Sequence, residues 1–429
     1  MEREGGFSLR LGGEINRSDG HRAGTDFEVG LLHLALSHPL GSGRLSGDFG
    51  ASRRDFGAED FYAPYPSFER TRSYTSSLRW ASEAARSLNV ELGTSFRRHE
   101  DEFTLIRDNP EVYQNQHTSS QVGGDVLARV TDRLGMNLAL GGEIFRDILR
   151  SNSLGDRDED RGAVFGEAVI GGAGAGVVSL GLRQDWHQGF GSFLSPSFSG
   201  SYSIGQKLRA RAAVGRSFRA PSWTERYYQD PVNVGREDLD PEKAWSGEVG
   251  LDVVRGSDLR LSMTAFVRRA EDLIDWAREV DGGTEVPWET RNVEEATFRG
   301  LEADLTLRGP AETQWTLGGM LLSVDSKESE GYNSKYALRP LEEQVTLGVG
   351  RTFGDVLSLG LHLKRAKRAG EDAFKRLDVR GGFHLSSSWV YLDATNLLDA
   401  EYPDVTGAMA PGRALILGVE VGPGRRGRR

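Results

Sequence analysis

Alternating acidic side chains are the feature of this sequence that comes closest to a metal site. Asp156, Asp158 and Asp160 have the one-three-five spacing of a calcium-binding loop, and Glu167 stands where the last carboxylate of such a loop would be. The sixth position is Arg161, although the sharp turn of such a loop calls for glycine, and a strand-like segment follows instead of a helix. The pattern therefore predicts either calcium ligation by the three aspartates or a solvated acidic loop.

Other groups that could do chemistry are few. The run His99–Glu102 could ligate a metal, with solvated charge at the start of a long loop as the alternative. The eight histidines include no His-Glu-x-x-His pair, and there is no nucleophile elbow or Ser-x-x-Lys motif. The chain has no cysteine, which excludes disulfides, a thiol nucleophile and a cysteine-ligated zinc site. We expect neither an enzyme nor a bound cofactor.

Aromatic side chains gather in the segments that we predict to be long loops. Loops carried by a rigid scaffold often bind ligands, so these residues are candidates for a binding vestibule, where Arg and Tyr would suit an anionic, partly aromatic chelate. The alternative is that many of them belong to the interfacial girdle of a membrane protein. The candidates are Phe61, Tyr62, Tyr65, Phe68, Trp223, Tyr227, Tyr228, Trp276, Trp288, Tyr332 and Tyr336.

The elements that must carry these residues follow a two-residue period. In Asp355–Lys364 four leucines share one face, while serine, glycine, histidine and lysine take the other. Ser87–Arg97 and Asp258–Arg268 alternate in the same way, with Phe266 as an apolar exception on the polar face. Because side chains alternate across a strand, each segment is predicted to be a half-buried strand. We count about 20 such strands.

Short and long connections alternate between these strands. Gly309–Ala311 is one of the short ones and Phe218–Glu242 one of the long ones. Short turns at one rim and long loops at the other are typical of outer-membrane barrels. Charged residues on the polar face, such as Glu248 and Glu302, would be costly in a packed core but not in a water-filled or plugged lumen. The sequence thus predicts an all-β, transmembrane, antiparallel up-and-down β-barrel whose apolar stripe faces lipid.

The composition is compatible with this class. The 429-residue chain has a net charge of −10, which argues against nucleic acid as a partner. No apolar run approaches the ~20 residues of a membrane-spanning helix. The mean hydropathy of −0.46 would suit a soluble protein, but transmembrane barrels alternate polar and apolar residues and so are hydrophilic on average.

Several stretches resemble those of TonB-dependent outer-membrane receptors, and they occur in the expected order along the chain. Arg54–Glu69 is similar to an extracellular loop of that family, Gly215–Glu225 to a strand end, and Leu239–Asp252 to the return strand. Asn396–Tyr402 and Pro411–Arg413 are similar to the last loop and the start of the closing strand. The motif residues are Arg219, Pro221, Glu225, Pro241, Glu242, Glu248, Asn396, Asp399, Tyr402, Pro411, Gly412 and Arg413.

The resemblance implies a 22-stranded barrel with a plug domain in its lumen. It places the protein in the outer membrane of a Gram-negative-type bacterium, in contact with its lipid. Such receptors bind a scarce nutrient chelate, usually a siderophore-iron complex or cobalamin, and import it with energy passed on through the TonB complex. A passive diffusion porin is the alternative function, and an outer-membrane enzyme is a further one.

The sequence departs from the family pattern at both ends. We expect residues 1–421 to form the barrel, with the plug domain, the TonB box and the first hairpin absent, and residues 422–429 to form a basic tail. About 20 strands would then be present where 22 are expected. Unpaired strand edges are costly in lipid, so the barrel must close or recruit a partner chain. We therefore expect Phe7–Arg17 to pair with Arg413–Val421.

Overall fold

Strands dominate the structure of this chain, a computed structural model. It describes residues 6–61, 64–82, 88–131, 136–172, 176–280, 283, 286–326, 331–335, 340–354, 356–385, 387–403 and 408–421. Within those residues, no helix is long and apolar enough to cross a membrane.

Twenty-two strands form one sheet in the described residues, and two of them, β12 (Asn233–Val234) and β17 (Tyr332–Ser334), are short additions within loops. A short helix, α1 (Trp223–Tyr227), and a 3₁₀ turn (Pro310–Glu312) are the other elements of the described residues. The twenty long strands are β1 (Ser8–Ser18), β2 (Phe27–Leu40), β3 (Gly43–Gly57), β4 (Phe68–Ser82), β5 (Leu88–Thr104), β6 (Gln114–Thr131), β7 (Asn137–Ser151), β8 (Arg157–Gly171), β9 (Gly176–His187), β10 (Gly191–Ile204), β11 (Leu208–Arg219), β13 (Glu242–Arg255), β14 (Leu259–Glu279), β15 (Trp288–Arg308), β16 (Gln314–Ser326), β18 (Leu341–Phe353), β19 (Leu357–Arg368), β20 (Phe374–Leu385), β21 (Ser388–Thr395) and β22 (Ala414–Val421).

The sheet has one apolar and one polar face, as the two-residue period predicts. On β9, Leu180 and Leu182 are 48% and 52% exposed, while Arg183 and Asp185 take the alternate positions and pair with each other. Exposed leucines repeated on strand after strand are expected of a surface that lipid covers. We call this apolar side the outer face and the polar side the inner face.

Consecutive long strands pair antiparallel, which confirms the predicted all-β, antiparallel architecture. The β14–β15 hairpin is the longest, with 21 residues in each strand. β12 joins it in parallel on the β15 side and β17 joins it antiparallel on the β14 side, so its outer end forms the centre of a four-stranded sheet. A small apolar cluster of Ala244, Ala270, Leu273 and Ala296 packs with Phe298 at the base of that extension.

The expected pairing of the first strand with the last is not found. In the described part of the chain β1 pairs only with β2 and β22 only with β21, and both strands remain exposed, with Ile15 at 76% and Val421 at 78%. No ladder joins β1 to β22 among the described residues, so each of the two strands has one unpaired edge there. The prediction that Phe7–Arg17 pairs with Arg413–Val421 is therefore wrong for this structure.

Two segments predicted to be loops belong to strands. β5 continues through His99–Glu102 to Thr104, and β8 begins at Arg157, so that Asp158 and Asp160 lie on a strand. The sequence prediction ended these strands where the apolar residues stop. The ladders extend further because charged side chains face one another across neighbouring strands there, as Arg70 and Glu102 do at 3.2 Å.

Candidate ligand vestibule

The connection between β11 and β13, residues 220–241, folds over the inner face, and we call it the inward loop. Pro221 restricts the backbone where the loop leaves the strand. Ser222 then caps α1, because its Oγ accepts a 3.2 Å hydrogen bond from Glu225 N while the Glu225 carboxylate accepts one of 2.7 Å from Ser222 N. This reciprocal capping box stabilises a helix of only five residues.

Arg219, the last residue of β11, joins the two ends of the inward loop. Its guanidinium donates two 2.9 Å hydrogen bonds to Glu225 and one of 2.7 Å to Glu242, the first residue of β13. Glu242 is 6% exposed and also accepts from Ile274 N at 2.8 Å. Burial favours the protonated form of Glu225, but the hydrogen bonds from Arg219 and Ser222 outweigh it and hold the pKa of that carboxyl below its ordinary value.

The inward loop is bonded to β15 on one side. The Thr290 hydroxyl, fully buried, donates to Glu225 O at 2.8 Å and accepts from Arg236 N at 2.8 Å. Asn292 makes a second pair of bonds, accepting from Asp240 N at 2.9 Å and donating to Asp240 O at 2.8 Å. These side chains satisfy backbone groups of an otherwise irregular segment, so the loop has a fixed position against the wall.

On the other side the inward loop reaches β8. Arg226, only 6% exposed, donates a 2.6 Å hydrogen bond to Glu159 and lies 5.0 Å from the ring centroid of Phe190. His187 Nε2 lies 3.7 Å from the same Glu159 carboxylate. Further along, the Tyr228 hydroxyl is 3.4 Å from that of Tyr113 in the β5–β6 loop. Burial and this hydrogen bond raise the pKa of Tyr228 above its ordinary value.

A cavity of about 470 Å³ lies between the inward loop and the inner face of β5–β9. Its charged lining consists of Arg97, Glu143, Asp147, Glu159, Arg161, Arg183, Asp185, His187 and Arg226. Arg161 donates to Asp147 at 2.8 Å, and Arg183 donates to Glu143 at 2.5 Å and to Asp185 at 2.9 Å. Trp223 of α1 adds an aromatic surface. The arrangement can hold a polar or charged ligand.

Two glycines on the inner face of β6 and β7 make room for aromatic rings of the neighbouring strands. A Cβ at Gly123 would lie 2.1 Å from a ring carbon of Phe145, and one at Gly141 would lie 2.3 Å from Phe165. Each ring therefore lies against the backbone of the neighbouring strand. Arg161 stacks over Phe145 with its guanidinium carbon 4.5 Å from the ring centroid. The Arg161 guanidinium therefore lies above the Phe145 ring on the inner face.

Comparison with known proteins identifies the architecture. The family model described as TonB dependent receptor-like, beta-barrel, matches residues 12–407. The chain belongs to this family. Its members are receptors and transporters of the Gram-negative outer membrane rather than enzymes, which confirms the predicted family, the predicted location and the expectation of a non-enzyme.

Individual relatives match shorter parts of the chain. Vitamin B12 transporter BtuB of Photobacterium profundum is 27% identical over 121 residues, which is 28% of this chain and 19% of that protein. Ferric enterobactin receptor PirA of Pseudomonas aeruginosa is 28% identical over 177 residues, which is 35% of this chain and 23% of that protein. The alignments thus span only 19% and 23% of the length of these relatives.

Solved structures match the whole fold. The siderophore receptor PirA from Acinetobacter baumannii superposes with a TM-score of 0.79 at 14% identity, covering 96% of this chain and 75% of that one. The copper transporter OprC superposes with a TM-score of 0.81 at 14% identity, covering 97% and 76%. At these identities the likeness establishes the barrel fold of the family.

Four of the eleven aromatic candidates lie beside cationic groups, and the candidates do not share one pocket. Among the candidates that the structure describes, only Trp223 lines the cavity. Phe61 and Tyr65 are exposed at 38% and 45%, Trp276 is half-buried, and Tyr62 and Tyr336 lie outside the described residues. The pairs of ring and cation are Phe68 with Arg107 (4.3 Å), Tyr227 with Arg157 (3.1 Å) and Arg226 (4.9 Å), Trp288 with Arg278 (4.5 Å), and Tyr332 with Arg291 (4.4 Å).

The C-terminal family motif fixes the conformation of the last loop through side-chain hydrogen bonds. Asn396, 2% exposed and at φ +49°, donates from Nδ2 to Ala400 O at 3.0 Å and to Pro411 O at 3.2 Å, and accepts from Ala400 N at 2.9 Å. Asp399 accepts from Arg413 N at 2.9 Å, beside Gly412. Tyr402 stacks on Phe374 with ring centroids 3.7 Å apart. These contacts hold the loop rather than present it to a ligand.

The two remaining motif residues, Pro241 and Glu248, lie at the entry to β13 and on β13 itself. Pro241 is buried at the entry to β13, next to Glu242. Glu248 lies on the inner face and accepts from Arg211 at 3.1 Å. Together with the Arg219 contacts, they place the central motif in the framework of the inward loop.

The acidic residues proposed as calcium ligands pair with arginines. Arg146 contacts Asp158 and lies 3.7 Å from Asp160, and Arg150 lies 3.6 Å from Asp156. In the part of the chain that the structure describes, no group of three or more His, Asp or Glu side chains is placed to hold a metal ion. Calcium ligation therefore has no geometric support in these residues.

Trp223 and Pro221 of the cavity lining are sequence candidates, but the charged residues of that lining are not. Glu159, Arg161, Arg183 and Arg226 carry no motif. Glu159, Arg161 and Arg183 lie at the strand positions that the two-residue period assigns to the inner face. That period could have identified them as lumen-facing. Which of them pair depends on the register between strands and on the path of the inward loop.

Proposed function

We propose that this barrel serves the uptake of a scarce nutrient chelate, a siderophore-iron complex or cobalamin, across the outer membrane with energy passed on through TonB. The observation that carries the proposal is the cavity between the inward loop and the inner face, within a barrel of the TonB-dependent receptor family. A metal chelate with polar groups needs a polar chamber, and the charged lining of this cavity supports that use.

Relatives support the choice of ligand class. The curated relatives are named for vitamin B12 transport and for ferric enterobactin reception, and the matching structures for siderophore reception and copper transport. Their common property is a metal or a metal complex. We extend that common property to this chain, and leave the choice between siderophore-iron and cobalamin to experiment.

Direct binding tests the proposal. Purified protein in detergent is titrated with an iron(III) tris-catecholate complex and, separately, with cyanocobalamin, while tryptophan fluorescence is recorded. Trp223 lines the cavity, so saturable quenching that is weakened by Trp223→Phe is the expected result. Failure of both chelates to bind a folded sample would overturn the proposal. Uptake into a Gram-negative host with and without TonB then tests the energy source.

A passive pore is the second candidate, and one observation favours it. The inward loop narrows the lumen, as the constricting loop of a diffusion porin does, and it is bonded to β15 on one side and β8 on the other. Solute flux that is linear with concentration and indifferent to TonB would support this alternative. Saturable uptake would exclude it.

A further inference from the structure

A histidine lies beside the ion pair that joins the inward loop to the wall. His187 is the last residue of β9, and its Nε2 lies 3.7 Å from one oxygen of the Glu159 carboxylate. The other oxygen of that carboxylate accepts the 2.6 Å hydrogen bond from Arg226. We call His187, Glu159 and Arg226 the rim cluster. Histidine is the side chain whose charge ordinarily changes between pH 5 and 8, so the rim cluster contains a titratable member.

The hydrogen bonds of the His187 ring place its single proton on Nε2. Nδ1 accepts a 3.3 Å hydrogen bond from Gly189 N, so the neutral ring carries its hydrogen on the side that faces Glu159. A second proton must go to Nδ1, and the ring can then no longer accept from Gly189. Phe190 of the same turn packs against both neighbours, with its ring centroid 5.1 Å from that of His187 and 5.0 Å from the Arg226 guanidinium carbon. Protonation therefore disturbs a turn that contacts the inward loop.

Four charged side chains act on the His187 ring, and they already balance one another. Asp147 comes from β7, Glu159 and Arg161 from β8, and Arg226 from α1. The β9–β10 turn, residues 188–190, carries no charge. Arg161 donates to Asp147 at 2.8 Å and Arg226 donates to Glu159 at 2.6 Å, so each carboxylate has an arginine. A proton on His187 adds a third cation to two complete ion pairs, and that cation shares the Glu159 carboxylate with Arg226.

The rim cluster lies above the apolar band of the outer face. Asp158 and Asp160 flank Glu159 on β8 and point to the outer face, where Arg146 contacts the first and lies 3.7 Å from the second. Charged side chains on the lipid face are costly within the hydrocarbon, so this level of the wall is beyond it. The external medium therefore sets the protonation of His187.

Burial opposes a charge on the docked ring, where docked means that α1 makes the Arg226–Glu159 contact. Desolvation, together with the charges of Arg226 and Arg161, holds the pKa of His187 below its ordinary value of about 6.5, against the opposing effect of Glu159 and Asp147. Movement of α1 away from the wall hydrates the ring and removes the Arg226 charge, which returns the pKa toward the ordinary value. The docked state is therefore fully favoured above about pH 6.5 and loses stabilisation as the pH falls below that value.

We propose that the rim cluster is a pH-sensitive switch, in which protonation of His187 weakens the Arg226–Glu159 contact and loosens α1 from β8. Glu225 of α1 stays bonded to Arg219 and Thr290. The expected motion is thus a tilt of α1 away from β8 about its Glu225 side, with the rest of the inward loop in place. This switch goes beyond the proposed uptake function, because it applies equally to a chelate receptor and to a passive pore.

Spin labels measure this movement directly. The chain has no cysteine, so Thr224→Cys on α1 and Val164→Cys on β8 take two labels at defined and exposed positions. The distance distribution between the labels is recorded by double electron–electron resonance in detergent at pH 8 and at pH 5. We expect one narrow distance peak at pH 8, and at pH 5 a broader distribution that is shifted to longer distances.

Three substitutions in this double-cysteine background assign the response to the rim cluster. His187→Gln stays neutral and keeps an acceptor, so it should retain the narrow peak at pH 5. The matched control is His117→Gln, because His117 is an inner-face histidine near the outer end of β6 and hydrogen-bonds to Ser151 at 2.8 Å instead. It should respond to pH as the parent does. Glu159→Gln removes the shared carboxylate and should give the broad distribution at both pH values.

The outcomes decide the switch independently of ligand binding. A parent distribution that is the same at pH 8 and pH 5 overturns it, and so does equal broadening in the parent and in His187→Gln. If His187→Gln does not fold, Glu159→Gln decides the question, because a pH response that persists without the carboxylate also overturns the switch. Chelate titrations of the unlabelled protein judge the proposed function separately, so either can fail while the other stands.

Discussion

Arg226 donates a 2.6 Å hydrogen bond to Glu159, and this contact joins two parts of the chain that are 67 residues apart. Arg226 belongs to α1 on the inward loop, whereas Glu159 belongs to the wall strand β8. The loop is also bonded to its own strands through Arg219, to β15 through Thr290, and to Tyr113 of the β5–β6 loop through Tyr228. The Arg226–Glu159 pair is the ion pair that joins the loop to the wall beside the cavity.

Removing the negative charge of that pair should release the inward loop. In Glu159→Gln the buried guanidinium loses its counter-charge, and we expect about 2 kcal/mol of loop stabilisation to be lost. Limited trypsin digestion of the folded protein measures the change as faster cleavage within residues 220–241. The matched control is Glu167→Gln, because Glu167 lies on the inner face of the same strand and contacts Ser179 instead. Equal cleavage rates in the two variants would contradict the role of the pair.

The junction at Arg219 should matter for the stability of the barrel. Glu242→Ala removes an acceptor that Arg219 and Ile274 N share, and leaves that backbone N–H without its bond in a buried position. We expect a loss of about 2–3 kcal/mol in the free energy of unfolding. Thermal unfolding in detergent, followed by circular dichroism, measures it. Glu248→Ala, which removes a more exposed inner-face carboxylate, is the control and should have a smaller effect.

The sequence predicts the strands of this protein better than it predicts the vestibule. The period of Ser87–Arg97 depends on neighbouring residues alone, and β5 contains all but the first residue of that segment. The contact between Arg226 and Glu159 depends on the path of a loop, which no local pattern encodes. The resemblance to the receptor family pointed to Arg219 and Glu242, but it could not indicate that their side chains bond to each other. Strand ends were missed where ion pairs, rather than apolar side chains, extend the ladder.

Asn396 should be hard to replace. It combines a left-handed backbone conformation with three side-chain hydrogen bonds in a site that is 2% exposed. Asn396→Gly keeps the backbone freedom and loses the hydrogen bonds, whereas Asn396→Ala loses both. We expect both variants to lower the unfolding midpoint, with alanine lower than glycine. Leu398→Ala, at an exposed position of the same loop, should leave the midpoint unchanged. A midpoint for Asn396→Ala at or above that of glycine would argue against the backbone contribution.

A pH dependence is expected from the contact between Asp26 and Arg107. Arg107 donates two hydrogen bonds to the Asp26 carboxylate, at 2.7 and 3.0 Å, and these bonds hold its pKa below the ordinary value. Because the folded pKa is depressed, the stabilisation is complete above the unfolded pKa and is lost as the pH falls through the folded pKa. The unfolding midpoints of wild type and Asp26→Asn should therefore differ at pH 7 and converge in strong acid. A difference that stays constant down to pH 2 would exclude this linkage.

Conductance across a planar bilayer tests whether the lumen is open to ions. Twenty long strands give a circumference above that of the 16–18-stranded barrels that enclose aqueous channels, and the inner face is lined with charges that water can solvate. The unpaired edges of β1 and β22 must find partners in a bilayer, because exposed backbone groups in lipid cost several kcal/mol each. Residues 1–429, assayed by themselves in a planar bilayer, should therefore form an open pore. Glu159→Gln should raise the conductance by freeing the inward loop, while Glu167→Gln should not. An insulating membrane would show that other parts of the chain fill the lumen.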